Sequence, residues 1–395
     1  MNKDFLLNDS ETFCMLPWIH MMMIPNGNMY PCCVSPIQFE TDDVNNYGTI
    51  NDDFDVTINN EKFKQLRLNM LNEVKTPTCE LCYKNPAGYT LRGEMNRTFE
   101  HVFDETVPLT KEDGSIDNFK MRYVDFRFSN VCNFKCRMCG PAYSSSWPEL
   151  HTSGKPRLVK PADDAKALEK LLEHIDYIED IYFAGGEPLM MDEHYVVLEE
   201  LIRRGKTHVN LRYSTNASKL THRGTNVIDM WKQFDSVRIA ASIDHYGERA
   251  EYIRTGTDWG TVETNLKFIQ QLPNIYFSIN NTVTVYNYLT LNKFYEYMIN
   301  KGLLSKETIN NHISHHLCYG PPHTTPMILP KHLKDIGTIA NSKLPIDLSD
   351  HINIVNAEDI WEANKENFQH TTKLIDNARG ESFVKIFPEL AEMME

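Results

Sequence analysis

No apolar run in this chain approaches the roughly 20 residues that a membrane-spanning helix needs. The opening residues, Met-Asn-Lys-Asp-Phe-Leu-Leu-Asn-Asp, have no signal-peptide core, so a cytoplasmic location is expected. Positive charge is also short: 40 lysines and arginines stand against 54 aspartates and glutamates, a formal net charge of −14. A nucleic-acid backbone requires a basic footprint, so the balance argues against it as the main partner and leaves room only for a local basic groove. Internal repeats and low-complexity stretches are absent. Cysteine is missing where a disulfide framework would need it: eight of the nine fall within the first 139 residues, and only Cys318 lies beyond. In a reducing compartment such clustering reads as metal ligation before disulfides. What remains is an ordinary globular composition, 41% hydrophobic and 24% charged, with 395 residues that suggest two or three domains.

The densest cysteine set is Val131-Cys-Asn-Phe-Lys-Cys-Arg-Met-Cys-Gly140, a CxxxCxxC triplet of Cys132, Cys136 and Cys139 directly after an expected strand. A structural zinc site wants four N/S ligands, and a disulfide wants two. A cubic [4Fe–4S] cluster normally takes four cysteines, so three leave one iron open to a small-molecule ligand. Zinc remains an alternative if a distant Cys318 or a histidine supplies a fourth ligand.

From about residue 120 strands and helices alternate. Residues 121–129 place Val124, Phe126 and Phe128 on one side of a strand that delivers the triplet. Further strands are expected at 181–184, 210–215, 237–243, 275–285 and 313–319. Helices between them carry Leu168, Leu171, Leu172 and Ile175, then Val197, Leu198, Leu201 and Ile202, then Val262, Leu266 and Ile269, then Leu291, Phe294, Tyr295 and Met298. Strands separated by helices pair in parallel through right-handed crossovers. The fold class is therefore α/β, a partial (β/α)6 TIM-like barrel, whose chemistry gathers at the C-terminal strand ends. A second motif, Ala184-Gly185-Gly186-Glu187-Pro188, ends the second strand. Its glycines admit a ligand close to the backbone, and Glu187 can accept from an ammonium group.

The triplet after the first strand followed by Gly-Gly-Glu-Pro after the second resembles the radical S-adenosylmethionine (SAM) superfamily, over residues 119–330. The resemblance implies that Cys132, Cys136 and Cys139 hold a [4Fe–4S] cluster whose open iron chelates SAM. It implies that Gly185, Gly186, Glu187 and Pro188 meet the methionine amino group. Ser214 and Asn216 would contact the ribose or methionine part. Ser242 and Asp244 match a Ser-x-Asp strand end, and Arg254 matches an arginine that pairs with the SAM carboxylate. Met138 departs from the usual aromatic residue before the third cysteine, and methionine is adaptable enough to pack there. An electron donor such as flavodoxin or ferredoxin is implied as partner.

Residues 1–105 form a small cysteine-rich hairpin and helix module. Asn26-Gly27 between apolar runs signals a hairpin that brings Cys14 and Cys32 together. A helix over 59–72 with Phe63, Leu66, Met70 and Leu71 precedes Cys79-Glu-Leu-Cys82. Four thiolates suit zinc or a full [4Fe–4S] cluster equally well. Gly27-x4-Cys32 resembles the SPASM/twitch modules, which implies an auxiliary [4Fe–4S] cluster on Cys14, Cys32, Cys79 and Cys82, with Cys33 as a spare thiol or alternative ligand. Met21, Met22 and Met23 read as packing, not as a copper site, and Cys318 as a buried apolar residue. Of His312, His315 and His316, strand alternation leaves His315 as the candidate for the lumen. Residues 111–115 read as a linker. Residues 331–395 read as a helical tail in which Phe383, Ile386 and Phe387 cap an open barrel edge. Two functional classes follow: a radical SAM enzyme abstracting hydrogen from a substrate, expected to be a peptide or protein side chain, or a non-catalytic zinc-binding interaction module.

Overall fold

The computed structural model describes residues 2–37, 45–84, 91–147, 158–161, 164–307 and 309–395. The fold is mixed α/β. Its main sheet has eight strands: β1 (His20–Met23), β2 (Met29–Tyr30), β3 (Tyr123–Phe126), β4 (Asp180–Phe183), β5 (Asn210–Thr215), β6 (Val237–Ser242), β7 (Ile275–Val283) and β8 (Ile313–Leu317). The last six are the strands expected of a partial barrel. The chain falls into two compact units, residues 1–130 with 159–185 and 191–211, and residues 131–158 with 186–190 and 212–395.

In the first unit the strand order is β2-β1-β3-β4. β1 and β2 form the expected antiparallel hairpin, with Met22 opposite Tyr30. β1 then goes further than the sequence indicated and pairs in parallel with β3, His20 opposite Tyr123. The reason is burial: His20, Met21, Met22 and Met23 are all at most 1% exposed. A strand apolar on both faces needs cover on both, which the interior of a parallel sheet provides. The three methionines are therefore core. Helix α1 (Glu61–Leu71) starts where the Asn60 side chain accepts from Phe63 N at 3.0 Å. It buries Phe63, Leu66 and Met70, each contributing about 1.5–3 kcal/mol. Arg67 is buried among them, which periodicity did not indicate. Its guanidinium donates to Pro17 O (2.9 Å), Ile58 O (2.7 Å) and Gly114 O (3.3 Å), so a cation ties three separate backbone segments to the helix. Helices α2 (Asp164–Glu173) and α3 (Asp192–Arg203) complete this unit.

In the second unit the order is β5-β6-β7-β8, and β6, β7 and β8 are parallel. Alternating burial along β5 and β7 follows from the period-2 geometry of a pleated strand. Helices α4 (Trp259–Gln270) and α5 (Leu291–Asn300) bury Val262, Leu266, Ile269, Leu291, Phe294, Tyr295 and Met298 as expected. The chain closes with α6 (Lys331–Asn341), α7 (Ser349–Ala357) and α8 (Trp361–Arg379). Phe383 and Phe387 join an aromatic cluster with Tyr252, Tyr286 and Phe368. One expectation is corrected: His315 turns to the helices. Its ring hydrogen-bonds the Tyr295 hydroxyl of α5 and meets His351 of α7 edge-on, because β8 lies at the sheet edge under those helices. Among the described residues no helix is long and apolar enough to cross a membrane.

Candidate functional site

The cysteine triplet is built on a short ribbon. Lys135–Cys136 pairs antiparallel with Arg254–Thr255, and Arg137 N donates to Ile253 O at 2.9 Å. Side chains that follow the triplet tie its backbone down. Ser146 Oγ donates to Cys132 O (2.6 Å), Ser144 Oγ to Phe134 O (2.5 Å) and Trp147 Nε1 to Cys136 O (3.1 Å). Gly256, with φ +109°, lies so close that a Cβ there would sit 2.8 Å from Asn133 O. Only glycine accepts that backbone without strain. Cys136 and Cys139 share a hydrogen bond between their side chains.

The electrostatics favour the thiolate at Cys136 alone among the three. The hydrogen bond from Cys139 lowers the Cys136 pKa, and the Arg254 cation lowers it further. Burial lifts Cys132 to about 12, and the bond to Cys136 together with burial lifts Cys139. Arg254 places Nη1 3.9 Å from Cys136 Sγ and forks Nε and Nη2 onto Asp244 at 2.7 and 3.2 Å. Asp244, 1% exposed, also accepts from Thr282 N at 2.8 Å. An anionic cluster on three thiolates needs such a counter-charge, so the donor set fits one.

The Gly-Gly-Glu-Pro segment is fastened to the same loop by Glu187 N, which donates to Val131 O at 2.6 Å. Gly185 has φ +124°, and a Cβ there would crowd Arg127 and Ser129 at 3.3 Å. Glu187 is buried, and its carboxylate accepts from Thr215 Oγ1 (2.7 Å), Leu189 N (3.2 Å) and Asn216 N (2.8 Å). Burial raises its pKa to about 7 against the pull of those donors. Asn216 Nδ2 donates to Asn133 Oδ1 at 3.0 Å, so the end of β5, the Glu187 turn and the cysteine loop share one network. Pro188 is buried beyond it, Ser214 is half-buried on β5, and Ser242 is half-buried at the end of β6.

The second cysteine set meets in the first unit. Cys14, Cys32, Cys79 and Cys82 line one pocket with Thr12, Leu66, Met70 and Arg92. Burial pushes all four thiols up, and the Arg92 cation draws Cys82 back. Cys33 instead packs on Met22, Ile24 and Tyr30, and burial lifts it to about 12. Among the described residues no three His, Cys, Asp or Glu side chains close on a single metal ion.

Sequence reasoning missed several residues of these regions. On β3 the buried Asp125 receives both Nε and Nη2 of Arg127, at 3.1 and 3.2 Å, opposite the face of Val124 and Phe126. The signal was visible, since charged residues alternating with aromatics in a buried strand need partners. Arg137, Asp376 and Glu381 were missed because their association spans more than 230 positions.

Residues 126–298 match the radical SAM superfamily, and residues 14–83 match SPASM, an iron-sulfur cluster-binding domain. The second match begins at Cys14 and ends one residue past Cys82. No curated protein matches the chain. Similar solved structures include native anSMEcpe with bound AdoMet, at 17% identity and a TM-score of 0.37 over 64% of this chain and 61% of that one. Native anSMEcpe with bound AdoMet and Kp18Cys peptide has 17% identity and a TM-score of 0.36 over 64% and 60%. The chain thus spans about three fifths of the length of these structures.

Proposed function

On the premise that the chain carries a radical SAM domain and a SPASM iron-sulfur domain, we propose that it is a radical SAM enzyme that abstracts hydrogen from a peptide or protein side chain. In this reading residues 119–330 are the catalytic core, 1–105 the auxiliary-cluster module and 331–395 a helical extension. Cys132, Cys136 and Cys139 hold the SAM-binding [4Fe–4S] cluster, and Cys14, Cys32, Cys79 and Cys82 hold a second one. When bound, the first cluster would supply one-electron reduction of the SAM sulfonium, the chemistry that yields methionine and a 5′-deoxyadenosyl radical able to take a hydrogen atom from substrate. The electron comes from a donor of the flavodoxin or ferredoxin kind.

The chain's own residues do the binding and holding. Arg254 offsets thiolate charge at Cys136 while Asp244 fixes its fork. Glu187 holds the end of β5 against the cysteine loop, and its uncommitted lone pair can accept from the SAM ammonium. Gly185 and Gly186 leave the backbone open to the methionine part, with Ser214, Asn216 and Ser242 at the strand ends for its polar groups. The SPASM-type module supports the peptide or protein substrate.

The observation that carries this reading is a loop with three cysteines in eight positions, its backbone braced by Ser144, Ser146 and Trp147, with the Arg254 cation 3.9 Å from Cys136 Sγ. Anaerobic reconstitution, iron and sulfide analysis, and assay of SAM cleavage to 5′-deoxyadenosine test it. We expect about eight irons, four per cubane, and cleavage that disappears when Cys132, Cys136 and Cys139 are all replaced by Ala. Undiminished 5′-deoxyadenosine in that variant would overturn the assignment. Half the iron with one stoichiometric zinc would make the N-terminal site structural and leave the core reading intact.

A further inference from the structure

Arg137 sits between Cys136 and Cys139, yet its side chain leaves the sulfurs and is wholly buried. Its guanidinium lies 3.5 Å over the Tyr252 ring, and Nε donates to Tyr252 O at 3.2 Å. Nη2 donates to Asp376 Oδ1 at 2.6 Å and to the Glu381 carboxylate. Both acids belong to the end of α8 and its exit. Asp376 also accepts from the Tyr252 hydroxyl (2.8 Å) and Phe383 N (2.6 Å), so its position is fixed from three sides.

A second cation crosses in the other direction. Arg379, the last residue of α8, donates from Nη1 to Lys135 O at 2.8 Å and Thr255 Oγ1 at 2.9 Å. Its guanidinium lies 4.5 Å from the Trp147 ring, the same indole that holds Cys136 O. Thr255 Oγ1 in turn donates to Glu381 at 2.9 Å. The tail therefore grips the backbone just before Cys136, the side chain just after it, and the ribbon strand beside it.

We propose that Asp376, Arg379 and Glu381 are positioning residues of the cysteine loop: the C-terminal extension is a clamp that determines how firmly the loop retains its cluster. The inference rests on the reading that Cys132, Cys136 and Cys139 hold the SAM-binding cluster. The physical reason is ligand number. A cluster with only three protein ligands leaves the protein to supply the loop's rigidity, and a buried guanidinium between two carboxylates supplies it only while both partners stay in place. Among the described residues both carboxylates that Arg137 meets come from the C-terminal extension.

The test uses the full chain reconstituted anaerobically, with iron release to a ferrous chelator and the EPR signal of the reduced cluster, with and without SAM, as readouts. Asp376→Asn combined with Glu381→Gln should speed release of the triplet's iron about tenfold, equivalent to about 1.4 kcal/mol on loop opening. The EPR signal should broaden or shift, while iron of the N-terminal set leaves at the parental rate. Arg137→Lys should retain iron better than Arg137→Ala. Parental release and an unchanged EPR signal in the double variant and in Arg379→Met would overturn the clamp. Should the double variant unfold by circular dichroism, Arg379→Met decides alone, because it leaves the ion pair intact. The triple alanine variant of the cysteines separates the two claims. If it keeps the parent's iron, the cluster assignment fails and the clamp with it. If it loses one cluster while the tail variants behave as the parent, only the clamp is wrong.

Discussion

The two cysteine sets are held by opposite means. Cys132, Cys136 and Cys139 occupy eight consecutive positions whose backbone is braced by Ser144, Ser146, Trp147 and the Arg254–Thr255 ribbon. Cys14, Cys32, Cys79 and Cys82 arrive from separate segments and meet in a pocket whose other walls are mostly apolar, such as Leu16, Leu66 and Met70. In the first case the polypeptide fixes the backbone that carries the thiols before any metal arrives. In the second, hydrophobic packing brings the segments near, and a metal would complete the cross-link. Metal binding should therefore contribute little folding energy at the triplet and much at the N-terminal set.

The sharpest test compares two deletions. Cys79→Ala with Cys82→Ala should halve the iron, lower the melting temperature and abolish substrate turnover, while uncoupled SAM cleavage survives. Replacing the triplet should abolish cleavage yet leave the melting temperature within a few degrees of the parent. If both variants melt alike, the contrast between braced and metal-tied sites is wrong. A related effect is expected at Arg67, whose three carbonyl partners would be left buried by Arg67→Ala. Urea titration should show a loss of about 3 kcal/mol or more, because each stranded acceptor costs about 1–3 kcal/mol.

A pH experiment addresses the braced site. Burial holds the Glu187 pKa near 7, above the ordinary 4.5, so the folded metal-free protein binds a proton that the unfolded chain has released. Stability should therefore fall as pH rises from about 4.5 to 7, by on the order of 3 kcal/mol from this residue. Glu187→Gln should flatten that slope. An unchanged slope would mean that its three donors already compensate the charge. The smallest expected effect is Arg254→Lys, which keeps the cation but loses the fork onto Asp244. A loss of about 1.5 kcal/mol in SAM binding, read by equilibrium titration with normal iron content, would match one charged hydrogen bond.

Much of the barrel was legible because period-2 and period-3.6 patterns are local. β5 falls at the expected residues, and the helix faces of α4 and α5 are those the periodicity marked. The hairpin at Asn26-Gly27 was equally local. Its incorporation beside β3 was not, because parallel pairing across about a hundred residues leaves no short-range trace. Arg67 went unnoticed and His315 was misjudged for a related reason. A long cation can be buried when carbonyls converge on it, and a strand residue's face depends on which side the helices cover.

Sequence by itself determined the alternation of strands and helices, the CxxxCxxC spacing and the Gly-Gly-Glu-Pro turn, since each depends on residues within one turn or loop of each other. It also set the count of available thiols, and hence which ligand sets could exist at all. Tertiary structure alone decided that Arg254 is forked by Asp244 beside Cys136, and that Arg137 is buried against Asp376 and Glu381. Charges buried far apart in sequence must find their partners by packing, and no local pattern encodes which partner that will be.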